Sequence, residues 1–192
     1  MTLQTANPRS IQMLRVNPKK FVLWLFIVSI VMIFASMTSA YVVKRSDGNW
    51  LNFDLPDALL YTTFIIILSG ISMHWAYLSA KKDSIANLKI ALVTTVVLSG
   101  AFLAGQFYSW GQLVENDVYF VGNAAGSFIY ILTGLHAFHL ISGIIFLIIV
   151  LISALSYKVH SKKMLQIEMC TTYWHFLGGL WVYLYLFLSL YN

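Results

Sequence analysis

Four histidines lie within long apolar stretches of the sequence, and they are the side chains whose type could do chemistry there. They are His74, His136, His139 and His175. An imidazole at membrane depth can ligate a metal or a haem, carry a proton, or serve as a packed, hydrogen-bonded residue. The spacing of the histidines tests these options, because a ligand set needs several side chains that converge on one point.

His136 and His139 are three residues apart, so they share one face of one helix. Two ligands on one face cannot bind the opposite sides of a single haem. A dinuclear copper site would need further ligands, and the sequence does not supply them. The chain also lacks the CxxC, HExxH and glycine-rich phosphate-loop motifs. Its one cysteine, Cys170, excludes an intrachain disulfide and is predicted to fill apolar space.

His74 and His175 leave a haem site open as an alternative. Each lies about seven residues from the same end of its helix, which corresponds to a depth of roughly 10 Å. Two helices could therefore present them to a haem from opposite sides. Against this, both sit in bulky settings, His74 before Trp75 and His175 after Trp174, with no small residue beside them to admit a porphyrin. Structural hydrogen bonding is the favoured interpretation of this pair.

The elements that must position these histidines are membrane helices. The chain is 59% hydrophobic and only 10% charged, with a mean hydropathy of +0.77, whereas soluble domains are about a quarter charged. Charge-free runs are long enough to cross a bilayer, which takes about 20 apolar residues. The sequence therefore predicts an all-α integral membrane bundle after an N-terminal tail at residues 1–20. Its five spans are predicted at about residues 21–43, 58–80, 90–114, 126–157 and 169–191.

The fourth charge-free run, residues 118–157, is long enough for two helices. Nothing between Gly126 and Tyr157 resembles a polar turn, so we predict one long helix. The stretch VYFVGNAAG at its start is interpreted as an interfacial entry to that helix.

The distribution of basic residues predicts the orientation. Five spans place ten basic residues on the side of the N-terminal tail and only Lys44 and Arg45 on the other. The ten are Arg9, Arg15, Lys19, Lys20, Lys81, Lys82, Lys89, Lys158, Lys162 and Lys163. The positive-inside rule therefore predicts a cytoplasmic N-terminus and a periplasmic C-terminus. The net charge of +5 follows from this topology and is not interpreted as a nucleic-acid surface.

No Asp, Glu, Lys or Arg falls within the predicted spans. Proton pumps and ion carriers place such residues at membrane depth despite the cost. Proton conduction through this chain's own core is therefore not expected. A small transporter is also disfavoured, since no span is broken by proline. The tail lacks the Ser/Arg-rich character of an organelle transit peptide, which favours the bacterial cytoplasmic (inner) membrane.

Five segments, in order, resemble the helices of subunit III of haem–copper oxidases. FIYILTGLHAFHLISG at 128–143 resembles the family's FxxLTGxHxxHxxxG helix, and TYWHFLGGLW at 172–181 resembles its final YWHFxDxxW helix. LWLFIVSIVMIFASMTSAYVVKR at 23–45 resembles the family's WLFxxSExMxFxxxxxAYxxxR. TTFIIILSGISMHWA at 62–76 and GAFLAGQFYSW at 100–110 also align with family helices. The likeness is to the short five-helix bacterial form of cytochrome c oxidase subunit III.

The resemblance implies an accessory subunit without haem or copper of its own, since in this family those cofactors belong to the partner subunits. It implies packing beside the catalytic subunit I in a complex with subunit II, bound phospholipid, and support of sustained turnover in aerobic electron transport, with a larger respiratory supercomplex as a further setting. No residue of this chain is then catalytic. The structural positions that match the family motifs are His74, Trp75, Gln106, Thr133, Gly134, His136, His139, Gly143, Tyr173, Trp174, His175 and Trp181.

The match departs from the family at three carboxylates. Ile30, Ser109 and Gly178 stand where the family has Glu, Glu and Asp. These losses put in doubt any function that the family assigns to the acids. Because of these losses, a companion subunit of nitric oxide reductase remains an alternative function. A b-type cytochrome that uses His74 and His175 is a further alternative.

Overall fold

The computed structural model describes residues 17–46, 48, 50, 55–155 and 164–191, which form five α-helices and, within these ranges, no strand. The helices are α1 Pro18–Arg45, α2 Asp57–Lys81, α3 Ile85–Glu115, α4 Ala124–Leu155 and α5 Leu165–Tyr191. Each is long and apolar enough to cross a membrane. The all-α, five-span prediction is therefore confirmed for the part of the chain described.

Several helices begin before the apolar spans predicted from the sequence. α3 begins at Ile85 rather than Ile90, and α5 begins at Leu165 rather than Met169. The reason is physical: a charge-free run marks the hydrocarbon core, whereas a helix continues into the interface until its backbone is capped. α1 begins at Pro18, where the missing N–H costs nothing, and the Asn17 side chain accepts a hydrogen bond from the Lys19 N–H at 3.1 Å. Residues 1–16 of the predicted tail and residues 156–163, which include the predicted end of the fourth span, lie outside the described ranges.

The long fourth run forms one helix, as predicted. Residues 118–123 are non-helical, and α4 begins at Ala124. The turn before this entry uses left-handed backbone at Asp117 (φ 58°), and Gly122 follows with φ 121°. The Tyr130 hydroxyl donates to the Val118 carbonyl at 3.1 Å, which fastens the entry segment to the first turns of the helix.

Four of the helices form a closed ring, and α1 packs on its outside. α2, α3, α4 and α5 each contact the next in that order, and α5 returns to α2. α1 contacts α4 and α5. It is the most exposed helix, since only 22% of its most apolar stretch is buried. α4 and α5 each contact three other helices, so together they join α1 to the ring.

Three hydrogen bonds between neighbouring helices share one pattern, in which a tryptophan donates its indole N–H to a hydroxyl. Trp110 of α3 donates to Thr133 of α4 at 3.0 Å. Trp174 and Trp181 of α5 donate to hydroxyl groups of α2, on Ser69 at 3.1 Å and on Thr63 at 3.0 Å. Such interhelical bonds average about 0.6 kcal/mol in membranes, so they fix register more than they supply stability.

The histidine sites and the groove between α2 and α5

His136 lies at the centre of the helix ring. Its side chain is fully buried, with its ring centroid 4.9 Å from that of Trp181 and 6.0 Å from that of Phe102. Neither ring nitrogen has a hydrogen-bond partner among the described residues. A metal site here would need further ligands around the ring, and its neighbours are aromatic.

His139, one turn further along α4, faces a different helix. Its ring lies 5.9 Å from Phe34 and 6.4 Å from Phe26, both on α1. Its Nδ1 is 2.8 Å from the Leu135 carbonyl oxygen, which can only accept, so Nδ1 carries the proton. His136 and His139 were predicted to share one face of a helix, and on α4 they contact different neighbouring helices. Both are buried, but the roughly 60° between positions i and i+3 turns one toward α5 and the other toward α1.

His74 and His175 come together, as their similar depths in neighbouring helices suggest. Their ring centroids are 5.8 Å apart, and both side chains are exposed at the rim of a groove between α2 and α5. The groove has a volume of about 460 Å³ and is lined mainly by apolar side chains and three glycines. The glycines are Gly70, Gly178 and Gly179. The sequence neighbours of these histidines suggested that no small residue lies beside them. That expectation is wrong, because adjacent turns of α2 and α5 place glycines next to them.

The groove nevertheless lacks the slot that a haem requires between the two histidines. A Cβ added to Gly70 would lie 3.6 Å from His175 Nδ1, so the His175 ring packs directly on the α2 backbone. A macrocycle placed between the rings would have to separate the two helices at this level. Among the residues the structure describes, no three His, Cys, Asp or Glu side chains group closely enough to hold a metal ion. The geometry thus favours the packed, structural interpretation.

The remaining family-motif residues of α4 have packing roles. Thr133 accepts from Trp110 and donates to the Ile129 carbonyl at 2.7 Å. Gly134 lies beneath the Trp110 ring, since a Cβ there would be 4.0 Å from Cζ2. Gly143 lets α5 approach closely, because a Cβ there would come within 2.8 Å of Leu177.

The α5 motif residues point to three different neighbours. The Tyr173 hydroxyl is 2.8 Å from the Ser142 hydroxyl of α4. Trp174 and Trp181 bond to α2, as described above, and His175 lines the groove. Trp75 is 45% exposed on the outside of α2 and takes no part in these contacts.

Sequence reasoning missed the hydroxyl partners of the tryptophans, notably Ser69 and Thr63. A signal was available: Trp174 and Trp181 are seven residues apart on one face of α5, and a buried indole N–H needs an acceptor. Hydroxyl-bearing residues in α2 were the available acceptors, but nothing in the sequence identified that helix as the neighbour.

The structure accommodates all three positions that lack the family's carboxylates. Ile30 is fully buried on the inner face of α1. The Ser109 hydroxyl donates to the Gly105 carbonyl of its own helix at 2.8 Å. Gly178 lines the α2–α5 groove, where an acid would add a charge to an apolar wall.

Fold and site together define an integral membrane helix bundle, in which most buried hydroxyls donate to backbone carbonyls and three indole N–H groups donate to hydroxyls of a neighbouring helix. Residues 50–192 match the family of cytochrome c oxidase subunit III. The chain belongs to that family, which makes it a subunit of a multi-subunit oxidase and a multi-pass membrane protein.

Similar proteins occur in bacteria and in animals. The chain is 28% identical over 172 residues to a probable cytochrome c oxidase subunit 3 of Nocardia farcinica, covering 85% of this chain and 82% of the relative. It is 26% identical over 163 residues to cytochrome c oxidase subunit 3 of Corynebacterium diphtheriae, covering 81% and 79%. Identity to cytochrome c oxidase subunit 3 of Petromyzon marinus is 32% over 137 residues, which cover 70% of this chain but 49% of the lamprey protein.

Proposed function

We propose that this chain is the accessory, non-catalytic subunit III of a respiratory haem–copper terminal oxidase. In this role it packs beside subunit I, assembles with subunit II, and supports stability and sustained turnover in aerobic electron transport. The observation that carries the proposal is the family match over residues 50–192. It is supported by a bundle in which the motif residues Thr133, Gly143 and Trp174 have structural contacts. Affinity purification of the tagged chain tests it through the identity of the subunits that accompany it.

We expect the chain to bind neither haem nor copper. His74 and His175 are the only histidine pair whose placement suggested a haem, and His175 packs on the α2 backbone instead. The absorption spectrum of the purified chain should therefore lack a Soret band. A band that survives purification and disappears in His175→Ala would establish a b-type cytochrome; Trp75→Ala, on the outer face of α2, is the matched control.

Bound phospholipid is the second part of the proposed role. The α2–α5 groove is open to the outside of the bundle, and Ile66, Ile67 and Val182 give it the apolar walls that an acyl chain needs. The glycines on its floor leave room along its length. We expect phospholipid to remain with the complex after detergent exchange. The amount that remains should decrease when Gly179 is replaced by Phe. A Cβ at Gly179 meets nothing within 4 Å, so a side chain introduced there starts in open space at the groove.

The proposed orientation places the N-terminus in the cytoplasm and the C-terminus in the periplasm, across a bacterial inner membrane. It rests on the ten-to-two distribution of basic residues and on the five candidate spans. Lys20 of α1 and Glu168 of α5 pair at 2.7 Å, which fits one shared cytoplasmic end for the two helices. A C-terminal reporter that is active only in the cytoplasm should stay silent, whereas the same reporter after Lys82, in the α2–α3 turn, should be active. The opposite pattern would reverse the topology.

The replaced carboxylates favour one second candidate, a companion subunit of a nitric oxide reductase. At Ile30 the interior of α1 has no acid, so a function that depends on that acid in the family is lost here. The catalytic subunit that co-purifies with the chain distinguishes the two. The second candidate predicts the catalytic subunit of a nitric oxide reductase in place of the oxidase subunits I and II.

A further inference from the structure

Two fully buried side chains in the bundle interior have polar atoms without a hydrogen-bond partner in the part of the chain that the structure describes. Gln106 of α3 is 1% exposed and His136 of α4 is 0% exposed. Both polar atoms of the amide and both ring nitrogens of the imidazole lack a hydrogen-bond partner among the described residues. These four atoms stand out because the buried Ser and Thr hydroxyls around them are bonded to backbone or to indole N–H groups.

Contacts on either side place Gln106 at the same level of the α3–α4 seam as His136. One turn before it on α3, Phe102 packs against His136, with ring centroids 6.0 Å apart. One turn after it, Trp110 bonds to Thr133, which lies one turn before His136 on the antiparallel α4. Since both neighbours of Gln106 on its helix face reach α4 here, Gln106 itself faces the segment between Thr133 and His136.

The adjacent polar groups are bonded elsewhere, and none of the described ones makes a hydrogen bond to Gln106 or His136. The Trp181 indole, beside His136, donates to Thr63 at 3.0 Å. The Thr133 hydroxyl donates to the Ile129 carbonyl and accepts from Trp110. The amide of Gln106 therefore offers donors and acceptors to the same space as the imidazole of His136, and the surrounding rings of Phe102 and Trp181 offer none.

Leaving these groups unpaired would be costly, since a buried amide without a partner loses roughly 1–3 kcal/mol in proteins. Buried polar groups that lack a protein partner are as a rule bonded to ordered water, which makes about 2–4 hydrogen bonds in polar cavities. A water molecule suits this pair chemically: it can donate to the unprotonated imidazole nitrogen and to the amide oxygen, and accept from the amide NH₂.

We propose that Gln106 and His136 hold an internal water site that bridges α3 to α4 inside the helix ring. The water completes the polar contacts of these two helices, next to the direct bond between Trp110 and Thr133. It is a fixed structural hydration site of the subunit's own interior. The inference does not depend on which oxidase the chain serves.

The direct test is a map of the complete oxidase complex at a resolution that shows ordered water. The expected result is a density peak within hydrogen-bonding distance of both the Gln106 amide and a His136 ring nitrogen. Either a direct Gln106–His136 hydrogen bond or an interior with no peak beside these groups would overturn the proposal.

Variants of the complex provide an independent test through thermal inactivation. In Gln106→Met and in His136→Phe, one polar partner remains buried, and each should shorten the half-life of the assembled complex by roughly five- to a hundred-fold. The double variant removes the need for water, so its loss should be clearly smaller than the product of the two single losses. Ser109→Ala, whose hydroxyl bonds only within α3, is the matched control and should change the half-life little. Multiplicative losses in the double variant, or unchanged half-lives in both single variants, would overturn a shared site.

Discussion

An oxidase complex that lacks this chain should keep its haem spectrum but inactivate after fewer turnovers. The haems are expected to stay, because the part of the chain that the structure describes has no cluster of three or more His, Cys, Asp or Glu side chains, and the His175 ring packs against Gly70 of α2. The lifetime is expected to shorten, because in the proposed role the bundle packs beside the catalytic subunit and stabilises it during turnover. The measurement compares haem content and the number of turnovers before inactivation in complexes with and without the chain.

Re-expression of the chain from a second locus is the control and should restore the number of turnovers. Haem lost from the complex on deletion would contradict an accessory role. Equal working life in both complexes would contradict the proposed support of turnover.

Replacing Gly143 by Val should destabilise the bundle more than a valine at a glycine whose Cβ would meet open space, such as Gly100. A Cβ at this position lies 2.8 Å from the Leu177 side chain and 3.4 Å from the ring of Trp174, so these buried side chains would have to shift. Displacement of Trp174 would also strain its hydrogen bond to Ser69 at 3.1 Å. Overpacking of this kind costs about 1–3 kcal/mol. The expected result is a lower midpoint in thermal unfolding of the detergent-solubilised chain and less assembled complex in the membrane.

Gly100→Val is the matched control, since it introduces the same side chain into a helix at a position where a Cβ meets nothing within 4 Å. It should unfold close to the wild type. Gly126→Ala tests a second close approach, because a Cβ there would collide with the backbone carbonyl of Tyr119. Equal midpoints for Gly143→Val and Gly100→Val would contradict the tight contact between α4 and α5.

The number and approximate position of the helices were predictable because the bilayer imposes them. A charge-free run of spanning length has few alternatives in hydrocarbon, where every backbone group must be satisfied internally. The same reasoning identified residues 118–157 as one helix with a non-helical entry, and the structure begins α4 at Ala124. Helix ends were less predictable. Glu168 lies within the first turn of α5 and pairs with Lys20, so a charge that suggested a loop belongs to the helix.

The contacts between helices were only partly predictable. Similar depth placed His74 beside His175, but the glycines that shape their groove come from neighbouring turns of both helices. The i and i+3 spacing of His136 and His139 did not reveal that α5 and α1 approach α4 from different directions. Packing between helices depends on their rotation about their own axes, and a sequence that is hydrophobic on nearly every face does not encode that rotation in its periodicity.

Affinity purification of the tagged chain from native membranes, with mass spectrometry and an absorption spectrum of the eluate, tests the central claim most directly. We predict that subunits I and II of a haem–copper oxidase elute with the chain in fixed proportion. The haem signal should disappear when subunit I is absent, while the chain itself remains. A chain that elutes with its own Soret band, or with no haem–copper catalytic subunit, would contradict its assignment as an accessory subunit of the oxidase.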